Sequence, residues 1–441
     1  MMRTVAVVWS IVRHPAFWLP VLLVLASDAV FYSLQSHHGA IVSDGWGYYL
    51  HLPAIFIHHD PHLAFLNQPD LPDHIAQYRS ADGSWQGLTA HGAGYLDKYT
   101  FGPAVLQLPF FLAAMAVGYF RYPMMNGFEP PFQIANALSA AFYFGLGSYL
   151  IYRAARLRYD APPSALALAI VILASNVLHY AIVEPSFSHV YGYCILAGVV
   201  YLAVRRAESP EAPSLSAFIL FGALLGLAVM VRPTNAVYAL LFLVFIRGTP
   251  LRQLIVSSVC AVLASVVAAS PQMLLWYVTT GRLIYDSYAG EGFRFLSPEL
   301  RNYLFSVRKG VFFWHPLYLL MIVALLRDIP RRRFEGGVAL LIVALGLYIG
   351  SSWSDYTFGD SFGSRQSIEL LPLLAGPFAG MIAALQPGRW RRIAAAVVVL
   401  LIVLNLVQFS GYVRGWLPHN DTAPADYLRF WARMLRWPSM P

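Results

Sequence analysis

Long apolar runs alternate with short polar segments along almost the whole chain of 441 residues. A helix of roughly 20 apolar residues is long enough to cross a hydrocarbon layer ~30 Å thick. The pattern predicts spans at about 16–34, 99–119, 131–152, 162–182, 187–204, 215–231, 234–247, 253–277, 311–326, 335–352, 366–385 and 393–412. We therefore expect an all-α polytopic membrane protein, a bundle of about 11–13 transmembrane helices.

Composition agrees with this prediction, because 58% of the residues are hydrophobic and only 12% are charged. A soluble chain of this length would be about a quarter charged. The net charge of +8 comes from arginine clusters between apolar runs and not from one basic face, so no nucleic-acid partner is expected. The excess of arginine over lysine suggests a GC-rich bacterial genome. We expect the protein in the bacterial inner membrane.

Arginine clusters near residues 153, 205, 247, 331 and 391 are separated from one another by two predicted spans. Such clusters mark cytoplasmic loops, so the segments between them should face the periplasm. Segments 99–119 and 131–152 then give the wrong parity between the first outer loop and Arg153. Either 99–119 does not cross fully, or a segment near 183 is re-entrant, or the Arg153 cluster breaks the rule.

The longest polar loop, 37–98, opens with the stretch Ser43–Pro53, which directly follows the first span. The carboxylate of Asp44 could act as a general base or coordinate a metal. Glycines beside it allow close approach, and aromatic side chains stack on sugar rings; the aromatic candidates are Trp46, Tyr48 and Tyr49. The alternative is that Ser43 and Asp44 only cap a helix. Residues 48–57 are too few to span and predict an interfacial helix.

Two further polar segments interrupt the apolar pattern on the outer side. Lys98, followed by Tyr99, begins the second apolar segment and could contact a phosphate, with Asp97 holding its ammonium group. The alternative for this lysine is snorkelling to the interface. Glu184 lies within membrane reach near His189, where a carboxylate is costly and usually functional. Its alternative is a turn in water.

Outer loops of a membrane protein should be poor in Lys and Arg, yet several cations occur there. They lie close to carboxylates and aromatic residues, an arrangement that would suit an anionic headgroup. The residues concerned are Arg232, Arg308, Lys309 and Arg365, with Asp355 among the neighbouring acids.

Together these features resemble the GT-C glycosyltransferases, most closely the bacterial protein O-mannosyltransferases and the lipid A aminoarabinose and galacturonic acid transferases. The resemblance implies that Asp44 is the catalytic acid of the first outer loop. It implies that Lys98 is the family's lysine, although Tyr99-Thr100 stands where that family often has two prolines. Glu184 falls near the family's second acidic position.

The resemblance implies sugar transfer from a polyprenyl-phosphate carrier to a lipid or polysaccharide acceptor at the periplasmic face, with inversion and with Asp44 as general base. We expect Lys98, Arg308, Lys309 and Arg365 to stabilise the departing phosphate. Glu184 and His189 would orient the acceptor or a divalent cation, Mg²⁺ or Mn²⁺. No cofactor is certain, and membrane lipids are expected partners.

We expect a catalytic transmembrane domain over 1–410 and an interfacial tail over 411–441. The main alternative function is a non-enzymatic transporter or flippase of lipid-linked sugars, which would more naturally show two related halves. A third candidate is an O-antigen type polymerase or ligase, a class that carries its long outer loop late in the chain.

Overall fold

The computed structural model describes residues 11, 13–34, 39–122, 124–288 and 290–435. The chain is 68% helical with almost no sheet, which confirms the prediction of an all-α protein. In chain order the α-helices are α1 Pro15–Leu34, α2 Asp44–Phe56, α3 Asp73–Ala76, α4 Gly102–Tyr119, α5 Pro130–Arg156, α6 Ala161–Leu173, α7 Val177–Ile182, α8 Ser188–Ala207, α9 Leu215–Val231, α10 Leu241–Phe245, α11 Leu251–Thr280, α12 Leu300–Phe305, α13 Val311–Trp314, α14 Leu317–Asp328, α15 Arg333–Ser352, α16 Leu371–Ala383, α17 Arg389–Val413 and α18 Pro424–Leu435. Three 3₁₀ segments, Ala64–Asn67, Pro233–Leu240 and Arg365–Leu370, and a hairpin of β1 Leu88–His91 and β2 Gly94–Asp97 complete the described elements.

Each of the twelve predicted spans contains helix at the predicted place. Within the described ranges, eight helical stretches are long and apolar enough to cross a membrane. They are Pro15–Leu34, Gly102–Tyr119, Pro130–Arg156, Ser188–Ala207, Leu251–Thr280, Arg333–Ser352, Arg365–Ala383 and Arg389–Val413. The remaining predicted spans are shorter or broken helices, such as α6 followed by α7. The chain is a multi-pass membrane protein.

Ion pairs join the helix ends that carry the arginine clusters. Glu208, just after α8, accepts hydrogen bonds from Arg158 and from Arg332, each at 2.7 Å. Arg247 pairs with Glu335 at 3.1 Å. These contacts bring four of the predicted clusters to one side of the bundle, which we call the arginine side. The opposite side, where α5 and α8 begin, is called the site side.

Helix α4 does not pass between these two sides. At its start, the Thr100 hydroxyl donates to the carbonyl oxygen of Val231, the last residue of α9, at 2.8 Å. At its end, Gly118 lies against Met125 and Phe132, at the beginning of α5. Since α9 ends and α5 begins on the site side, both ends of α4 lie there. These contacts favour the first alternative, in which segment 99–119 does not cross fully.

The helix predicted at residues 48–57 is present as α2, but it is enclosed and does not lie freely on a surface. Ten of its thirteen residues are buried. Trp46 stacks on Tyr78 at a ring distance of 4.2 Å and also contacts Phe128. The first outer loop thus folds back over α2 and forms its own apolar core, which holds the start of the helix in a fixed position.

The C-terminal segment packs on the site side. Phe430 of α18 is buried and lies against Gly411 in α17. The predicted tail includes Trp437, which falls outside the described residues. Helix α18 thus packs Phe430 against α17, and the interfacial location of this segment stays a prediction.

Candidate functional site

A cavity of about 590 Å³ opens on the site side, between the start of α2, the start of α4, the end of α9 and the loops before α12 and after α15. This volume is in the range of small-molecule sites. Its wall combines carboxylates, cations and aromatic rings. The lining residues that were predicted from sequence are Asp44, Tyr48, Lys98, Tyr99, His189, Arg232, Asp355 and Arg365.

Asp44 is held by two partners from distant parts of the chain. Its Oδ1 accepts from the Tyr99 hydroxyl at 2.6 Å, and its Oδ2 from Arg365 Nη2 at 2.6 Å. The helix-cap alternative does not hold, because Ser43 is the N-cap residue and makes no side-chain cap bond. Ser43 has φ 48°, a left-handed conformation that is costly outside glycine and that clusters at functional sites.

Burial and the neighbouring positive charges shift the pKa of Asp44 in opposite directions. Burial, the largest influence, favours the neutral acid, but Arg365, the Tyr99 hydroxyl and Lys98 together outweigh it. The net result is that the pKa of Asp44 is lowered from its ordinary value. The group is therefore a carboxylate at neutral pH, and it can still accept hydrogen bonds on its remaining lone pairs.

Lys98 lies at the cavity wall but is not held by Asp97. Its Nζ pairs with Glu291 at 2.6 Å and lies 5.6 Å from the ring of Tyr288. Asp97 instead accepts from the backbone amide of Tyr99 at 2.8 Å. A quarter of the Lys98 side chain is exposed, so the ammonium group faces the cavity and can be reached by an anion.

Arg232 and His189 form one unit with Glu369. His189 Nδ1 lies 3.1 Å from Glu369 Oε1 and 3.1 Å from Arg232 Nη1. The guanidinium group is also 3.7 Å from the same carboxylate oxygen. Arg232 is thus held by the carboxylate of Glu369 and also lines the cavity.

Asp355 holds its own loop and also lines the cavity. Its carboxylate accepts from the backbone amides of Thr357 and Gly359, each at 3.0 Å. Trp353 next to it packs on Phe293 at a ring distance of 4.8 Å. The two loops therefore contribute an aromatic surface and a fixed carboxylate to the cavity wall.

Trp46 and Tyr49 were predicted to line a sugar pocket, and the structure places them elsewhere. Both side chains are buried in the apolar core of the first outer loop. The Tyr49 hydroxyl donates to the carbonyl oxygen of Gly127 at 2.5 Å. Asp44 and Tyr48 are about one helical turn apart and face the cavity, whereas Trp46 and Tyr49 lie on another face of the helix, so the aromatic residue of α2 that reaches the cavity is Tyr48.

Three other predicted residues also lie away from the cavity. Glu184 is buried with an oxygen 3.6 Å from His179 Nε2. Arg308 pairs with Asp421. Lys309 is buried and donates to the carbonyl oxygens of Ser361 and His419. The side chains of Arg308 and Lys309 therefore contact the C-terminal segment and do not face the cavity.

The predicted divalent cation finds no suitable set of ligands. Glu184 and His189 do not converge, since they contact different partners. Asp44 is already bound to a guanidinium group. In the part of the chain that the structure describes, no group of three or more His, Cys, Asp or Glu side chains could hold a metal ion.

Sequence reasoning missed three residues of this site: Tyr288, Glu291 and Glu369. Signals for two of them were present. Glu291 stands between Gly290 and Gly292, much as Asp44 stands beside glycines. Glu369 is a carboxylate inside a predicted span, where ionisable groups are usually functional. Tyr288 had no signal of its own.

Comparisons with known proteins give weak similarities. No protein-family model matches the sequence, and no curated protein matches it. Among solved structures, ArnT from Cupriavidus metallidurans bound to undecaprenyl phosphate is similar with a TM-score of 0.49 and 15% identity, over 95% of this chain and 76% of that one. The Archaeoglobus fulgidus oligosaccharyltransferase in the apo form follows with a TM-score of 0.48 and 12% identity, over 90% of this chain and 55% of that one.

The archaeal oligosaccharyltransferase AglB from Archaeoglobus fulgidus, in complex with an inhibitory peptide and a dolichol-phosphate, is similar with a TM-score of 0.47 and 13% identity. It is matched over 90% of this chain and 56% of its own length, so this chain spans little more than half of either oligosaccharyltransferase. At such scores and identities we base no argument on these similarities, and the function is argued from the residues of the cavity.

Proposed function

We propose that this protein is a membrane glycosyltransferase that moves a sugar from a polyprenyl-phosphate carrier to a hydroxyl group of a lipid or glycan. The observation that carries the proposal is the position of Asp44. An ionised carboxylate lies in the wall of a large polar cavity, beside cations that can hold a phosphate and rings that can stack on a sugar. We further propose that residues 1–410 form the catalytic unit and that the cavity faces the periplasm.

Asp44 acts as the general base in a single displacement. The acceptor hydroxyl donates to a free lone pair of the carboxylate, and its oxygen attacks the anomeric carbon. The new carbon–oxygen bond forms as the bond to the phosphate oxygen breaks, and the proton passes to Asp44. The hydroxyl becomes acidic only as that bond forms, so a carboxylate with a low pKa can still accept the proton. Attack opposite the leaving phosphate inverts the configuration.

Lys98, Arg232 and Arg365 stabilise the leaving polyprenyl phosphate. These are the lysine and arginine side chains that line the cavity. Cations placed before the reaction stabilise charge that develops on the leaving oxygen, an effect often worth several kcal/mol. Arg365 also holds Asp44 ionised, so it connects the base to the phosphate. Arg308 and Lys309, expected from sequence to share this function, are replaced in it by Arg232.

The sugar would lie between Tyr48, Tyr288 and Trp353. Aromatic rings line the cavity on both sides of the carboxylates, and stacking orients a sugar ring without fixing its identity. Asp355 and Glu291 can accept hydrogen bonds from sugar hydroxyls. Whether the donor carries a hexose or a pentose is the first question for experiment.

The test uses the full-length protein in nanodiscs with a panel of synthetic polyprenyl-phosphate hexoses and pentoses, each carrying a radiolabelled sugar, and a bacterial outer-membrane lipid and glycan extract as acceptor. At least one donor should lose its labelled sugar to the extract and release polyprenyl phosphate in equal amount. Movement of intact donors across liposomes without release, or no release from any donor, would contradict the proposal. The first of these results would identify a transporter.

A further inference from the structure

The ring of Tyr99 is held in a slot between two glycines. A methyl group added at Gly47 would stand 2.0 Å from Tyr99 Cδ2, and one added at Gly87 would stand 2.3 Å from its Cε2. Neither position therefore tolerates a side chain while the ring stays where it is. Gly87 also has φ 74°, which favours glycine in its own right.

The backbone of the same residue is held from both sides by a buried pair. Asp97 Oδ1 accepts from the Tyr99 amide at 2.8 Å, and His51 Nε2 lies 3.3 Å from the Tyr99 carbonyl oxygen. The two side chains are 3.7 Å apart and almost completely buried. Because a carbonyl oxygen can only accept, His51 must be the donor in this contact.

Three residues around Tyr99 lie on one face of helix α2. Asp44, Gly47 and His51 occupy positions i, i+3 and i+7, which lie above one another on a helix. The same helix face thus carries the proposed base, the slot for the Tyr99 ring and the side chain that holds the Tyr99 backbone. The Tyr99 hydroxyl then returns to Asp44 Oδ1 at 2.6 Å.

One carboxyl oxygen of Asp97 lacks the hydrogen bond that a buried carboxyl group usually has. Its Oδ2 has no hydrogen-bond partner among the residues that the structure describes. It borders a small cavity of about 20 Å³ behind Tyr99, which also touches His51 and Gln272 and has room for one water molecule. Such a group is costly to bury, so packing alone does not explain its presence.

We propose that His51 and Asp97 are positioning residues, which hold the Tyr99 hydroxyl on Asp44 and thereby orient the carboxylate for proton transfer. The proposal rests on the function proposed above. It assigns no contact with substrate to either residue. Near neutral pH, their effect on the reaction passes through Tyr99.

The protonation of the pair fits this arrangement. Burial raises the pKa of Asp97 to about 8 and lowers the pKa of His51 to about 4. At neutral pH both are uncharged, so no second negative charge competes with Asp44 for Arg365. Above about pH 8, Asp97 becomes a carboxylate near Asp44, and activity should fall. The titratable groups around Asp97 are His51 and Asp44 on α2, Lys98 and Tyr99 after β2, Tyr95 within β2, and Tyr285 across the small cavity.

A double-mutant cycle tests the proposal, with release of polyprenyl phosphate from the most active donor of the panel as readout. Tyr99→Phe and Asp97→Ala should each lower kcat by about 10- to 100-fold, the size of effect expected from a misplaced catalytic group, with KM unchanged. The double variant should be no slower than Tyr99→Phe, because both changes remove the same contact. Losses that multiply would overturn the proposal.

Two further variants separate positioning from folding. Asp97→Asn keeps an uncharged side chain with an acceptor for the Tyr99 amide, so it should restore kcat at neutral pH and abolish the fall above pH 8. Gly47→Ala favours the helix yet displaces the ring. If Asp97→Ala does not fold, Gly47→Ala and Tyr99→Phe make the same cycle. A wild-type protein without activity contradicts the proposed function, whereas an active one with multiplying losses contradicts only the positioning.

Discussion

Arg365 Nη2 lies 2.6 Å from Asp44 Oδ2, an ion pair that joins the first outer loop to the last third of the chain. Both side chains are mostly buried, with 13% and 20% of their surface exposed. The pair brings the proposed base and the proposed phosphate ligand together in one contact. It also determines the charge state of the base, which leads to a prediction on pH.

Replacing Arg365 by Gln should move the acid limb of the activity profile to higher pH. The guanidinium group is the strongest of the groups that favour the carboxylate form of Asp44, so its removal weakens the opposition to burial and raises the pKa of Asp44. The measurement is kcat/KM between pH 4 and 8. Arg365→Lys keeps a positive charge and should recover part of the shift. An acid limb at the same pH in Arg365→Gln would mean that Arg365 does not control Asp44.

Loss of a cation from the cavity should weaken binding of undecaprenyl phosphate. Lys98→Met and Arg232→Met should each raise its Kd by about tenfold or more, since a hydrogen bond to a charged group contributes roughly 1.5–3 kcal/mol. Arg308→Met is the matched control, because Arg308 pairs with Asp421 and does not line the cavity. Equal weakening in all three variants would contradict the proposed phosphate site.

Lys309 should stabilise the fold without acting in the reaction. Lys309→Met leaves the carbonyl oxygens of Ser361 and His419 without their donor, at a cost of about 1–3 kcal/mol. The melting temperature should fall while kcat of the folded fraction stays near the wild-type value. Arg308→Gln removes only a partly exposed ion pair and should change stability by ~1 kcal/mol or less. Loss of kcat with an unchanged melting temperature would indicate that Lys309 acts in the reaction.

The same lysine predicts how stability depends on pH. Burial lowers the pKa of Lys309 to about 7. Between pH 7 and the ordinary lysine value of about 10.4, the unfolded chain binds a proton that the folded protein does not, so stability rises with pH in this window. Melting curves between pH 7 and 9 should show the rise in the wild type and a smaller one in Lys309→Met. Parallel curves would contradict the assignment.

The course of α4 can be tested by cysteine labelling from one side of the membrane. In a variant with Cys194 and Cys260 replaced by Ser, Met124→Cys should react with an impermeant maleimide from the same side as Asp82→Cys. Arg156→Cys should react only from the other side. Met124 is highly exposed and lies just after α4, so it reports where that helix ends. Labelling of Met124→Cys only from the side opposite to Asp82→Cys would show that α4 crosses.

Hydropathy predicted where the helices are, because lipid and protein interior both select apolar side chains. It could not predict whether segment 99–119 crosses fully. That depends on tertiary contacts, namely Thr100 with the end of α9 and Gly118 with the start of α5. The arginine clusters did indicate a conflict at this segment, but they left three alternatives open.

The period of helix α2 explains which of the predicted aromatic residues line the cavity and which do not. At about 100° per residue, Asp44 and Tyr48 share one face, whereas Trp46 and Tyr49 point to the other. The sequence prediction grouped these aromatic residues by their proximity along the chain and not by helix face, so it placed all three in the cavity. Glu369 and Glu291 come from distant segments, and their contacts with His189 and Lys98 exist only in the folded chain.

The central claim is that Asp44 takes the proton of the acceptor. Asp44→Asn keeps the shape of the side chain and its contact with the Tyr99 hydroxyl but removes the base. The direct measurement is single-turnover release of polyprenyl phosphate from bound donor, alongside the Kd for that donor. The account predicts that release falls by about 100-fold or more while donor binding persists and the protein remains folded. Release at the wild-type rate in Asp44→Asn would contradict it.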